Sequence, residues 1–397
     1  MNYNQTIQYL ETLQTEDPNR EWTLEPMQEL MEKLGYLHVN LGTVIHVTGT
    51  NGKGSVCAML AQILKTTGYK TALYTSPHLN RVTERIKINN EEISKEDFAA
   101  YITKVQPFVT MHSFFEVVTA AAFLYFADKK TEVSIIEVGM GGRLDATNIV
   151  ESTISVVTNI SLEHTKRLGK TEESIAKEKA GIIKKDTLCV TAATGDAYHV
   201  IQKICTEKNV QLIHAKPTDA YHLSLHGEMQ KENAGIVVAV IDALKKRGFE
   251  IPKIHIAEGL QTTHWPGRLD FIEKNVLVDV AHNPGGMAQL ANELKKFKEQ
   301  FKKVILVLGI LSDKDWKVML DEIVPVADTI ILTKPQSERA AEPDSLHRYL
   351  SKSYGIDAQC IENIKMALEK AKHIATHNDL IVVTGSFYTV GPIYEKK

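Results

Sequence analysis

The sequence predicts an α/β protein of two domains, each built on a mainly parallel sheet, and three observations lead there. A buried strand, a tight glycine loop and an amphipathic helix follow one another over residues 44–65. Short apolar strands then alternate with helical patterns, as in a sheet covered on both faces. Near residues 258–266 the alternation breaks into Gly259, Gln261, Thr262, Thr263, His264 and Pro266-Gly267, read as a hinge, and a second, shorter series begins. A chain of 397 residues is long for one core, so two are the natural expectation.

Residues 1–40 read as a helical preface, with Met27, Leu30, Met31 and Leu34 on one face and Gly35 as its stop. Val44, Ile45 and Val47 form the first strand, and Val56, Met59, Leu60, Ile63 and Leu64 recur at helical spacing before a stop at Gly68. Between them lies Gly49-Thr50-Asn51-Gly52-Lys53-Gly54-Ser55. Its three glycines leave no side chains in the way, so successive backbone N–H groups can turn inward at a helix N-terminus and bind phosphate oxygens. Lys53 adds a mobile positive charge for the outer phosphates, and Ser55 a hydroxyl for Mg²⁺. The match to the general P-loop pattern is imperfect: the first glycine is too close to Gly52-Lys53, and Gly54 stands where Ser or Thr is expected. A glycine-rich strand-to-helix turn with a chance lysine is the alternative; the strand before and the helix after favour a nucleotide phosphate site.

A second strand, Thr71-Ala-Leu-Tyr-Thr75, ends in Ser76-Pro-His-Leu-Asn80. Residues 81–130 carry two helical patterns and the segment Ser113-Phe114-Phe115-Glu116. Val133-Ser-Ile-Ile-Glu137-Val then runs into Gly139-Met-Gly-Gly-Arg143-Leu144-Asp145-Ala146-Thr-Asn148, and strand-like runs follow at 153–158, 187–192 and 210–213. Beyond the hinge, strands are expected near 276–280, 304–309, 329–333 and 380–384. Ligands of such sheets sit at the carboxyl ends of the strands, where most of the polar clusters lie. The lysine-rich stretch 295–303 reads as a solvated helix end.

Composition narrows the class. Hydrophobic content of 43% and charged content of 24% are those of an ordinary soluble protein, and a net charge of −3 gives no reason to expect nucleic acid. Cys57, Cys189, Cys205 and Cys360 are scattered, which argues against a zinc site or a disulfide framework and for a reducing compartment. The N-terminus lacks the basic start and apolar core of a signal peptide, and no window suits a membrane helix. A cytoplasmic monomer acting on small molecules, without nucleic acid or membrane partners, is the expectation.

Glu137 ends an apolar strand, where a carboxylate is costly unless it leaves the sheet at its ligand edge; there it can hold Mg²⁺ on a triphosphate or form a strand-end salt bridge. His164 lies just past a strand, in Thr158-Asn-Ile-Ser-Leu-Glu-His164, and a lone histidine of this kind is more often structural than a ligand. Lys179 reads as an ordinary surface lysine on a helix that also carries Lys177, Lys184 and Lys185. Asp279 is flanked by apolar residues in Val276-Leu-Val-Asp279-Val-Ala-His282-Asn283-Pro-Gly-Gly286, so it needs a partner or a ligand. Arg268, just past the hinge, could reach nucleotide phosphate on domain closure. No nucleophile elbow, metalloprotease or dinucleotide fingerprint is present. The residues by themselves thus point to an Mg²⁺-nucleotide enzyme with phosphoryl transfer as its chemistry.

Taken together and in order, Gly49-Thr-Asn-Gly-Lys-Gly-Ser55, Thr75-Ser-Pro-His-Leu79 with Glu84-Arg-Ile86, Gly141-Gly-Arg-Leu-Asp-Ala-Thr-Asn148, Glu178-Lys-Ala-Gly-Ile182, Pro266-Gly-Arg268 and Asp279-Val-Ala-His-Asn-Pro284 resemble the folylpolyglutamate synthase and dihydrofolate synthase family of Mur ligases. Gly-Lys-Gly-Ser is that family's own form of the loop. The resemblance implies an N-terminal Mur-ligase-type ATP-binding P-loop domain over 1–262 and a C-terminal Rossmann-like ligase domain over 263–397. It implies that ATP phosphorylates a folate carboxylate and that the amine of L-glutamate displaces phosphate from the acyl phosphate. It assigns Ser76, Glu137 and His164 to magnesium with Ser55 close by, implies two Mg²⁺ ions, admits K⁺, and makes Lys179 a carbamate. Asn233, Arg268, Asp279 and Asn283 match positions that touch ATP, and His282 lies beside them; Lys53, Lys179, Asp279 and His282 are the residues it marks for catalysis. Ser113 to Glu116 and Leu144 to Ala146 match the region that receives pteroate, and Ser386 in the closing Gly385-Ser-Phe-Tyr388 motif matches glutamate binding. Ala146, where some tail-lengthening members carry serine, points to a bifunctional enzyme. A tail-lengthening synthase, another Mur-type amino-acid ligase and a P-loop regulatory ATPase are the competing readings.

Overall fold

The computed structural model describes residues 1–13 and 22–395. Part of the expected helical preface, residues 14–21, lies outside them. The chain divides into two compact units: Met1–His78, Val82–Ser224 and Gln230–Thr263 form the first, while Leu79–Arg81, Leu225–Met229 and His264–Lys397 form the second.

The first unit is built on strands β1 (Thr43–Thr48), β2 (Thr71–Tyr74), β3 (Ile86–Ile88), β4 (Glu91–Glu92), β5 (Val133–Glu137), β6 (Ile154–Val157), β7 (Leu188–Thr191) and β8 (Gln211–His214). They lie in the order β4-β3-β2-β5-β1-β6-β7-β8. From β2 to β8 all pairings are parallel, so these six strands end at one edge. β1 lies between β5 and β6, and this central position explains its β-branched run, Ile45 and Val47 being fully buried.

Helix Lys53–Thr67 starts after Gly52 (φ 85°) and stops at Gly68 (φ 99°), with ten of its residues buried. Helix Phe114–Asp128 is buried from Glu116 to Phe126, which is why its sequence shows hydrophobicity all round and no stripe. In the preface, Met27, Leu30 and Met31 are buried on helix Glu25–Lys33, and Gly35 adopts a left-handed φ of 84°.

The first unit departs from the sequence expectation at two places. Residues 81–130 hold, besides helices, the antiparallel β3–β4 hairpin; Asn89 (φ 51°) and Asn90 (φ 63°) form its left-handed turn, a signal the sequence did carry. The expected break at 258–266 begins too early, because Lys253–Thr262 is a helix. Gly259 is a packing point, not a breaker: a Cβ there would meet Ile63 Cγ1 at 2.6 Å and Ile63 Cα at 2.7 Å.

The second unit contains β9 (Asp270–Glu273), β10 (Val276–Val278), β11 (Lys303–Leu308), β12 (Thr329–Leu332), β13 (Gln359–Cys360) and β14 (Asp379–Thr384), ordered β13-β12-β11-β14-β10-β9. Only β9 runs antiparallel, and it was not anticipated. Among the described residues no helix is long and apolar enough to cross a membrane.

Gly259→Ala tests the helix crossing. Alanine favours a helix by up to about 1 kcal/mol, but the clash falls on backbone that cannot swing aside. A net loss of roughly 1–3 kcal/mol in urea unfolding is expected; an unchanged midpoint would show slack at the crossing.

Candidate active site

The loop after β1 is shaped by two obligatory glycines. A Cβ on Gly49 (φ 146°) would lie 1.8 Å from Thr158 Oγ1, and one on Gly52 would lie 2.4 Å from Asn233 Oδ1. The segment after β6 laces the loop in place. Asn159 O accepts from Thr50 N (2.9 Å), Asn159 Oδ1 from Asn51 N (2.9 Å), and Thr158 Oγ1 donates to Asn51 O (2.6 Å). Helix Lys53–Thr67 then begins, and the N–H groups of its first turn have no intrahelical acceptor, which makes them anion donors. Ser55 is buried in that turn, and Asn233 Nδ2 donates to Gln230 Oε1 at 2.9 Å.

Two lysines converge on this loop. Lys53 Nζ donates to Gly49 O (2.8 Å) and Thr50 O (3.0 Å), and Lys179 Nζ donates to the same Gly49 O (2.9 Å) and to Glu163 Oε1 (2.6 Å). Lys179 is not the surface lysine that its sequence suggested: its side chain is 2% exposed. Burial pulls its pKa down to about 8, against the pull of Glu163. Burial works to raise Glu163, but Lys179 and Lys53 overcome it and hold the carboxyl at about 2. Glu163 was missed; its only signal is the acidic neighbour of His164.

Glu137 ends β5 almost fully buried, and its Oε2 accepts from Ser76 N at 3.1 Å, because parallel pairing of β2 with β5 brings Ser76 beside it. His164 adopts left-handed φ 46° and ψ 38° ahead of the short helix Thr165–Leu168. Among the described residues no cluster of three or more His, Cys, Asp or Glu could hold a metal unaided. The Glu137 carboxylate and serine hydroxyls at a phosphate loop nevertheless fit Mg²⁺, which keeps waters and takes phosphate oxygens as ligands, whereas an imidazole is a donor more usual for softer divalent metals.

The two stretches assigned to pteroate meet at Gly139, where a Cβ would lie 2.7 Å from Phe115 Cζ and 3.2 Å from Asp145 Oδ2. Ser113 and Glu116 form a capping box: Glu116 Oε2 accepts from Ser113 N (2.7 Å) and Oγ (2.8 Å). Phe114 lies under Arg85, its ring centroid 5.2 Å from Cζ, and Phe115 packs on Tyr74. Leu144 is half-buried, while Asp145 and Ala146 are buried. Asp145 Oδ1 accepts from Thr147 N (3.0 Å) and Thr147 Oγ1 (2.5 Å), and Oδ2 accepts from Met140 N (2.9 Å).

In the second unit, Asp279 follows β10. Its Oδ2 accepts from Leu269 N (2.9 Å) and its Oδ1 from Ala281 N (2.8 Å); burial raises its pKa while Arg268 pulls the other way. Arg268 and His282 both contact the Phe387 ring, with Cζ and ring-centroid distances of 5.4 Å. Asn283 caps helix Pro284–Phe297, accepting from Gly286 N at 2.7 Å, and Ser386 caps Phe387–Tyr394, accepting from Thr389 N at 3.0 Å.

A glycine phosphate loop on one parallel sheet, with paired lysines and strand-end acids, followed by a second α/β unit, is the plan of a Mur-type ligase. The Mur ligase middle domain matches residues 47–256, and the Mur ligase glutamate ligase domain matches residues 267–387. The chain is 33% identical, over 92% of its length but 47% of the relative's, to the probable bifunctional folylpolyglutamate synthase/dihydropteroate synthase of Haloferax volcanii; it thus spans about half of that relative. It is 32% identical to the dihydrofolate synthase/folylpolyglutamate synthase of Buchnera aphidicola, over 93% of this chain and 89% of that one. E. coli FolC in complex with DHPP and ADP superposes with a TM-score of 0.90 at 30% identity, covering 99% of this chain and 97% of that one. The Yersinia pestis bifunctional folylpolyglutamate synthase/dihydrofolate synthase complexed with AMPPNP and Mn ion gives 0.88 at 29%, covering 99% and 97%. The chain belongs to the folylpolyglutamate synthase/dihydrofolate synthase family of Mur ligases.

The buried pair sets a pH dependence. Glu163 is more acidic folded than its ordinary 4.5, so its contribution is complete above that pH and lost as pH falls toward about 2. Lys179, depressed from 10.5 to about 8, gives a slope of the same sign on the alkaline side: folded protein gives up the proton first, so the cost of burying the cation is relieved and stability rises from pH 8 to 10.5. In EDTA, urea unfolding of the parent should therefore lose more stability between pH 5 and pH 3 than Glu163→Gln does, by about 2 kcal/mol. Parallel losses would sink the pairing.

Proposed function

We propose that this chain is an ATP-dependent amide ligase that adds L-glutamate to folates and also to dihydropteroate. The observation that carries the reading is the junction at Gly49 O, where the phosphate loop, Lys53 and Lys179 meet with Glu163. The loop N–H groups and Lys53 bind and neutralise the phosphates of ATP, and Asn233 fixes the turn at Gly52. Ser55, Ser76, Glu137 and His164 would hold magnesium, which would supply charge neutralisation for the phosphates. The acceptor lies against Phe115, Asp145 and Ala146, and its carboxylate attacks the γ-phosphorus, breaking the bond to the β,γ-bridging oxygen so that ADP leaves and an acyl phosphate forms. The glutamate amine then displaces phosphate to form the amide. No covalent link to the protein is required, so positioning and charge carry the catalysis.

In the 1–262 and 263–397 division of labour, the C-terminal ligase domain contributes Arg268 and Asn283 as nucleotide-binding residues, with Asp279 holding the turn of Arg268 and His282 beside it; Ser386 serves glutamate. Lys179 acts as a carbamate. Its depressed pKa leaves a neutral amine fraction near pH 8 to add CO₂ with release of a proton, and the resulting anion would exchange its ion pair with Glu163 for the charge of Mg²⁺. Ala146 leaves room for dihydropteroate, and the double names of the relatives favour the bifunctional reading over tail lengthening alone.

The test is phosphate release from Mg²⁺-ATP and L-glutamate with dihydropteroate in one tube and tetrahydrofolate in the other, run in K⁺ and in Na⁺. Release in both tubes is expected; release with tetrahydrofolate alone would mean a tail-lengthening enzyme, and silence in both would overturn the reading. Lys179→Ala should lose at least a hundredfold in kcat and regain part of it with a short carboxylate, whereas full activity would exclude the carbamate.

A further inference from the structure

Strand β1 carries two polar side chains on one face, in a position where a central parallel strand is otherwise apolar. His46 and Thr48 are two residues apart, so they share a face of the sheet, and both are fully buried. Each reaches the loop that follows β5. Thr48 Oγ1 donates to Gly141 O at 2.6 Å, and His46 Nε2 lies 2.8 Å from Thr147 Oγ1. Thr147 in turn donates its hydroxyl proton to Asp145 Oδ1 at 2.5 Å.

The direction of this chain follows from hydrogen counting. Thr147 has one proton and it goes to the carboxylate, so its oxygen accepts from His46, which must carry its proton on Nε2. His46 Nδ1 is left buried with no hydrogen-bond partner. Protonation would place an N–H there with nothing to receive it, and burial holds the ring neutral, with its pKa pulled down to about 3. An orphaned buried nitrogen costs on the order of 1–3 kcal/mol, so fold stability alone does not explain the histidine; an apolar residue would serve the core better.

We infer that His46 and Thr147 are positioning residues that aim Asp145, and with it the acceptor-binding loop, from the same strand that ends in the phosphate loop. β1 then acts as a common ruler: its carboxyl end sets the phosphates, and one face sets the carboxylate that meets the acceptor. Acyl phosphate formation needs the acceptor carboxylate within roughly 3–3.5 Å of the γ-phosphorus, and a shared strand fixes both partners against a single rigid element. The inference rests on the acceptor site proposed above.

The experiment compares parent, Thr147→Val, Thr147→Ser and His46→Phe, with KM and kcat measured separately for dihydropteroate, tetrahydrofolate and ATP. Valine keeps the shape of threonine but removes the proton given to Asp145; phenylalanine fills the imidazole volume without a donor. Thr147→Val and His46→Phe should raise the KM for dihydropteroate about tenfold or lower kcat by as much, with the KM for ATP within twofold of the parent. Thr147→Ser should restore parent behaviour. Acceptor parameters within twofold of the parent in either folded variant would overturn the positioning role, as would a parallel loss for ATP and acceptor that tracks a falling Tm. His46→Phe decides the question if Thr147→Val does not fold. An inactive parent would instead be a failure of the functional reading, and the inference would fall with it.

Discussion

Two lysine ammonium groups share one carbonyl oxygen, that of Gly49, and much of the first unit is arranged around this crowding of positive charge. In a buried setting two such cations repel strongly unless anions lie close. Glu163 provides one within the protein, and the N–H groups at the start of helix Lys53–Thr67 are donors open to others. The pair with Glu163 also explains why Lys179 is tolerated at all with its side chain 2% exposed. Lys53 has a looser hold, on two backbone carbonyls, those of Gly49 and Thr50.

Parallel topology turns this local arrangement into a site. Because β2, β5, β1 and β6 end at one edge, Ser76, Glu137, the phosphate loop and the Thr158–Ser161 segment arrive together without any one loop having to be long. Glycine is needed where these segments approach most closely. A Cβ on Gly142 would meet Lys179 O at 2.8 Å and Glu178 O at 3.0 Å, so the loop after β5 is seated directly on the helix that delivers Lys179. The helix that bears Lys179 and the loops after β1 and β5 are thus neighbours by backbone packing, before any side-chain contact is counted.

What was legible in the sequence was local. The strand, glycine loop and helix around Lys53 declare themselves through periodicity, and the inner strands through continuous apolar runs. The edge strands did not: β4 is two exposed glutamates, β13 two exposed residues, and β9 mixes charge with half-buried apolar groups, so pairing partners and not composition make them strands. Lys179 was illegible from its own neighbourhood because Lys177, Lys184 and Lys185 look the same; its burial arises from the packing of its helix on the loops after β1 and β5, and only the motif resemblance singled it out. Glu163 was passed over for the chemically rarer His164. His46 did carry a signal, a polar ring inside Val44-Ile-His-Val, but its meaning depends on Thr147, a hundred residues away in sequence and 2.8 Å away in space.

The second unit uses the strand-end acid differently. Asp279 has both oxygens engaged by backbone N–H groups, one from Leu269 and one from Ala281, so the carboxylate ties the turn that bears Arg268 to the turn that bears His282. Leu269 accepts a left-handed φ of 45° to make this clamp, a conformation that needs such support in a residue with a branched side chain. Arg268 and His282 are then brought against one ring, that of Phe387, directly after the Ser386 cap. A buried acid whose pKa is raised by desolvation survives here because two backbone dipoles and a guanidinium stabilise its charge. Its contribution is geometric: it fixes the two turns that carry Arg268 and His282.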